Sequence, residues 1–240
     1  MISYQAEPFI DSILSQNGLN LQHVFELKDL PEDILKPIVS IVDEEYQYKQ
    51  VIVFGHGGRK MWESVLSLNS KSEDPIDDFS VQQVTEYFHT HFPGLHFQFL
   101  YPGSTDIPLQ KIGQLAGWHH DSPFRIGINE TYGSWFAYRV AVIATSNFPV
   151  TSKVHSNSPC ISCETKSCVS ACPSGAVKDS EYQLELCLSY RKQENSLCMD
   201  RCLSRMACPV AKEHKYTLQQ IQYHYSLSLR TISLFPQPKD

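Results

Sequence analysis

SPCISCETKSCVSACPSGAV, residues 158–177, sets Cys160, Cys163, Cys168 and Cys172 within thirteen positions and puts Pro173 straight after the last of them. A second group follows at Cys187, Cys198, Cys202 and Cys208, and it too ends on a proline, Pro209. All eight cysteines lie beyond residue 159. The N-terminal MISYQAEPFIDSIL has no basic n-region, and apolar runs such as VAVIA at 140–144 fall far short of a membrane span. The expectation is a cytoplasmic protein with no membrane segment. In a reducing compartment, clustered cysteines point to metal ligation rather than to a disulfide knot.

The spacing resembles that of bacterial ferredoxins, Cys-x2-Cys-x2-Cys-x3-Cys-Pro, whose fourth cysteine crosses to the other of two clusters. A tight loop can turn three sulfurs toward one iron–sulfur core, and the proline then ends the loop. The resemblance implies two 4Fe–4S clusters. One would take Cys160, Cys163, Cys168 and Cys208, and the other Cys172, Cys187, Cys198 and Cys202. The gaps of four, three and five residues depart from the ferredoxin run. Two structural zinc sites are the competing account, but those show separated knuckles of paired cysteines. Here the third and fourth cysteines crowd the first pair, and Cys-Pro-Ser-Gly-Ala at 172–176 reads as a ferredoxin helix start.

The chain has 240 residues, 42% of them hydrophobic, enough for one large or two modest domains. Its formal charge of −6 and the lack of basic runs argue against nucleic acid as a partner. Periodicity predicts helices over 8–16, 31–39 and 108–117, one through Met61 to Leu66, and one capped by Ser80 and running to His91. Strands are predicted over 51–54, 96–101, 125–128 and 137–144. Alternating helices and strands give a layered α/β or α+β domain. Residues 145–159 have linker composition, and 217–234 fit a helix or a strand equally. The expected organisation is an α+β domain over 1–152, a small ferredoxin-like domain over 153–212, and a tail over 213–240.

The stretch QLAGWHHDSPFRIGINETYGSWFAYRVAVI, 114–143, resembles the epoxyqueuosine reductases at Ala116-Gly117, Asn129 and Gly133-Ser134. Cys187-Leu-Ser-Tyr190 resembles that family's isolated cysteine before its second cluster. Tyr132 to Arg139, with Asp74-Pro75-Ile76-Asp77, resembles the CblC-type cobalamin-processing proteins, which lack the cysteine region. Both resemblances imply an α+β, nitroreductase-like sandwich that binds cobalamin, here followed by a ferredoxin-like domain. They imply a corrinoid-dependent oxidoreductase or cobalamin-processing protein, fed by an external low-potential donor of ferredoxin or flavodoxin type and acting on a corrinoid or small molecule. Gly117, Tyr132, Gly133, Ser134, Trp135 and Arg139 are the implied cofactor-binding residues.

The reductases place a proton-donating Asp where this chain has Gly103, so Asp106 is the nearest candidate acid. His119 and His120 are candidates for proton transfer or cobalt contact, with a surface pair of histidines as the plainer account. The reductases also carry a tRNA-gripping repeat domain, whereas residues 209–240 are all that follow Cys208 here. Epoxyqueuosine reduction in tRNA is therefore an alternative reading, as is an electron-transfer module without its own substrate. Gly55-His56-Gly57-Gly58-Arg59 could form an anion nest but reads more simply as a tight turn. Arg139 stands in an otherwise apolar strand and needs either a carboxylate or a ligand.

Overall fold

A computed structural model describes residues 4–42, 45–103 and 106–234. The chain is α+β and forms two compact units. The first comprises residues 1–119 and 136–156; the second comprises 120–135 and 157–240. Residues 120–135, which carry much of the family resemblance, thus fold with the cysteines.

The first unit is built on four antiparallel strands in the order β1-β2-β4-β3: β1 (Leu21–Glu26), β2 (Gln50–Gly57), β3 (Phe97–Tyr101) and β4 (Phe136–Ala144). All eight residues of β2 are buried, as are the last five of β4, so these central strands read as continuous apolar runs. Strand β1 has no such signature. Its Gln22 and His23 are buried beside Leu21 and Val24, which erases the alternation that marks a half-exposed strand.

The helices of this unit are α1 (Ile13–Gln16), α2 (Glu32–Val39), α3 (Lys60–Ser67), α4 (Pro75–His91) and α5 (Leu109–Ala116). Helix α4 begins at Pro75, with the imino acid where no amide donor is needed, rather than at Ser80. Ser80 is instead buried and donates its hydroxyl to the Ile76 carbonyl at 2.7 Å. Ile76, Phe79, Val84, Tyr87 and Phe88 make the buried stripe of α4. Phe88 stands edge-on to Phe97 at 4.9 Å, and Phe9 meets Phe54 at 5.0 Å. Full burial of each such side chain stabilises by about 1.5–3 kcal/mol. Gly117 ends α5 at φ 78°, and an added Cβ there would lie 1.9 Å from the Val154 carbonyl oxygen.

The second unit has short helices: α6 (Ser167–Ser170), α7 (Leu184–Arg191), α8 (Leu203–Ala207) and the longer α9 (Leu218–Ser233). The open choice over 217–234 falls to helix, with Thr217 capping the Gln220 N–H at 3.2 Å. The strand expected at 125–128 is reduced to one bridge between His120 and Ile128. Among the described residues no helix is long and apolar enough to cross a membrane.

Candidate functional site

In the second unit the eight thiols draw into two groups. Cys160 feels the charges of Cys208 and Cys163; Cys168 feels Cys208, Cys160 and Cys163; Cys208 feels Cys163. Cys198 feels Cys202, Cys172 and Cys187, and Cys202 feels Cys187. Cys172 stands beside both groups: its charge acts on Cys198, and with Cys160 it packs against the core that holds Cys168 and Cys208. The turns that allow this are local. Helix α6 carries Cys168, its end returns the chain through Cys172, and the Gly175 N–H closes on the Cys172 carbonyl at 3.2 Å.

Burial first, and mutual repulsion second, pushes the Cys160 and Cys168 thiols above their ordinary pKa. Burial also raises Cys198, Cys202 and Cys208. Cys172 is the exception: burial opposes ionisation, but hydrogen bonds from Ser174, the Val177 amide and Ser204 outweigh it. Four crowded thiolates need a cationic core to stay ionised together, and that is what a bound metal centre supplies. Among the described residues no three His, Cys, Asp or Glu side chains close on a position for a single metal ion. An all-sulfur donor set in fours fits a 4Fe–4S cluster.

Phe124, Ile128 and Val177 wall Cys168 and Cys208, with Tyr182 and Val210 packed against them. Two arginines missing from the sequence reading are buried here. Arg191 gives its fork to the Cys198 carbonyl (3.1 Å), the Ser228 hydroxyl (3.0 Å) and the Tyr225 carbonyl (2.9 Å). Arg205 stacks over the rings of Trp135 (4.6 Å) and Tyr216 (5.0 Å) and donates to the Ser134 carbonyl. The available signal was position, for Arg205 a lone cation between Cys202 and Cys208 in the short segment CLSRMAC.

The residues expected to bind a cofactor in 132–135 have packing partners in this unit. Gly133 sits at φ 57°, where an added Cβ would meet the Val210 carbonyl oxygen at 2.6 Å. Trp135 is 1% exposed and meets Tyr216 edge-on at 5.3 Å. Tyr132 donates its amide to Asn129 Oδ1 at 2.8 Å, and its ring meets His214 at 4.8 Å. The buried Ser134 hydroxyl has no protein partner. His120 pairs through its backbone with Ile128.

In the first unit a polar cluster forms where β4 bulges. Phe54 pairs with Val140 and Gly55 with Tyr138, so Arg139 is the extra residue opposite neither. A bulge re-aims a side chain, and here Arg139 reaches Asp77 of α4 at 3.8 Å and His56 Nε2 at 3.5 Å. Its Nε has no protein acceptor. Burial raises the Asp77 pKa, with Arg139 pulling it down and Asp74 and Asp78 pushing it up. Burial and the Asp77 charge raise Tyr101. The guanidinium thus meets a carboxylate, and its Nε is left without a protein acceptor. His119 Nδ1 lies 3.1 Å from the Tyr138 hydroxyl, whose pKa burial drives up, and Trp118 stacks on the same ring. Asp106 is exposed. Residues 55–57 of the GHGG segment belong to β2, and the turn comes only at Gly58, φ 76°.

No protein-family model matches the chain, and no curated protein matches it by sequence. Solved structures do. The epoxyqueuosine reductase of Streptococcus thermophilus superposes with a TM-score of 0.52 at 12% identity, over 85% of this chain and 65% of that one. The Bacillus subtilis epoxyqueuosine reductase gives 0.55 at 11% identity, over 88% and 66%. A third, an epoxyqueuosine reductase with an epoxyqueuosine-modified tRNA stem loop, gives 0.55 at 12% identity, over 90% and 68%. This chain spans about two thirds of the length of the first two. Its fold is that of the epoxyqueuosine reductases over that part of their length.

Proposed function

We propose that this protein is a corrinoid-dependent iron–sulfur oxidoreductase holding two 4Fe–4S clusters. What supports the reading is the crowding of eight thiols in one unit, where Cys160, Cys163, Cys168 and Cys208 act on one another, Cys187, Cys198 and Cys202 act on one another, and Cys172 stands beside both; a ferredoxin-like crossing assigns Cys172 to the second four. The likeness of fold to epoxyqueuosine reductases supports it. When bound, the clusters would supply one-electron carriers and the corrinoid a reducible cobalt. The apolar walls at Phe124, Ile128 and Val177 bury Cys168 and Cys208 of the first thiol group, while Cys160 and Cys163 are partly exposed. In the first unit, the unpartnered Arg139 Nε can donate to an amide or carboxylate oxygen of a ligand, and Tyr138 orients the His119 ring. An external low-potential donor of ferredoxin or flavodoxin type would reduce the clusters.

Cobalamin titration of the reconstituted protein tests the corrinoid half. A shift to the base-off spectrum is expected, and an unchanged spectrum sinks it. A second reading, reduction of epoxyqueuosine in tRNA, draws on the neighbour solved with a modified stem loop. The net charge of −6 counts against it. Turnover of an epoxyqueuosine-modified stem loop by the loaded protein would favour it over a small-molecule substrate.

A further inference from the structure

Helix α8 is the bridge between the two thiol groups, because it starts at Cys202 of one and ends at Cys208 of the other. Arg205 stands at its middle and is bonded to both ends. Its amide donates to Cys202 Sγ at 3.5 Å, and its carbonyl accepts from the Cys208 amide at 3.2 Å. The residue is 7% exposed. A guanidinium buried to that degree is costly unless it meets negative charge. Among the described residues no carboxylate lies within ion-pair distance of it. Its protein contacts are two aromatic faces, one neutral carbonyl and the neutral Tyr225 side chain, and its Nε has no partner. Arg191, buried to a similar degree, differs in that its Nε and both terminal nitrogens donate to acceptors, so none of them is left unpaired.

We infer that Arg205 is the shared counter-charge of the two metal–thiolate centres and holds the reduction potentials of both upward. The inference rests on the cluster reading given above. A fixed positive charge favours the reduced, more negative state of a nearby cluster, and its burial removes the water that would screen it. The Arg205 charge acts on the thiols of both Cys202 and Cys208. Arg205 is accordingly a positioning and tuning residue that touches neither substrate nor transferred electron.

The test is a redox titration of reconstituted full-length protein with dithionite, each cluster taking one electron and followed by electron paramagnetic resonance. In Arg205→Gln the reduction equilibrium of both clusters should move about tenfold toward the oxidised form, equivalent to about 59 mV for one electron. Arg205→Lys keeps the charge and should leave both potentials near those of the wild type. Arg205→His supplies the check within one folded variant: both potentials should be higher at pH values where the imidazole is protonated, as read from its own NMR titration, than where it is neutral. Wild-type potentials in the Gln variant, a change confined to one cluster, or a Lys variant shifted as far as Gln would each overturn the inference. If the Gln variant does not assemble, pH-independent potentials in Arg205→His overturn it instead. Wild-type protein that takes up no clusters defeats the cluster reading itself, a result distinct from clusters whose potentials do not move.

Discussion

Replacing Gly133 by alanine should damage the fold and one thiol group together, and the size of the effect follows from two separable costs. At φ 57° an alanine enters the left-handed region, which costs about 1–2 kcal/mol. Its Cβ would also stand 2.6 Å from the Val210 carbonyl oxygen, about 0.8 Å short of ordinary contact, and overpacking of this kind adds about 1–3 kcal/mol. Gly94 (φ 90°) and Gly175 (φ 66°) supply the controls, since an added Cβ at either meets nothing within 4 Å. Gly94→Ala and Gly175→Ala should therefore show the conformational cost alone. At about 2–4 °C per kcal/mol for a chain of this size, Gly133→Ala should melt several degrees below both, followed by circular dichroism. Because Val210 is two residues beyond Cys208, the displacement should also loosen that ligand, so the reconstituted variant should retain about half the iron of the wild type. A Gly133→Ala protein that melts with the two controls and keeps its full iron would refute the close-approach argument.

Serine replacements should separate the thiol groups. Cys160→Ser and Cys208→Ser should each cost the same cluster, whereas Cys172→Ser should share its spectroscopic loss with Cys187→Ser and not with Cys168→Ser; a shared loss of Cys168 and Cys172 would contradict the crossing-over. His23 gives a pH signature in the first unit. It is 2% exposed, its Nδ1 has no protein partner, and burial lowers its pKa to about 4. A lowered pKa means that the unfolded chain binds the proton first, so stability is intact above about pH 6.5 and drains by up to about 3 kcal/mol as pH falls toward 4. His23→Phe should flatten that slope in urea melts run across the range, and an unchanged slope would place the acid sensitivity elsewhere.

The strongly patterned elements were legible in the sequence. VIVF and AYRVAVIA gave β2 and β4, and LQKIGQLA followed by Gly117 gave α5 and its left-handed cap, because burial and capping leave local marks. Strand β1 carries no alternation because its polar Gln22 and His23 are buried alongside Leu21 and Val24, with the Gln22 amide donating to the Ser15 hydroxyl outside the strand. The start of α4 was misplaced for a related reason. Ser80 has the chemistry of a cap, but here its hydroxyl turns back onto the helix. At the site, the likeness of the cysteine run to bacterial ferredoxins suggested the two sets of four. Spacing could not reveal that Arg139 sits on a bulge against Asp77 or that Arg205 is buried between the thiol groups. Both depend on residues more than sixty positions away, Asp77 for the first and Ser134 and Trp135 for the second.

The central claim is that the eight thiols hold two iron–sulfur cubanes. Anaerobic reconstitution followed by paired iron and acid-labile sulfide analysis tests it most directly. The account predicts about eight irons and about eight sulfides per chain, falling by half on any one of the serine replacements above. Tightly bound zinc with no labile sulfide would contradict it.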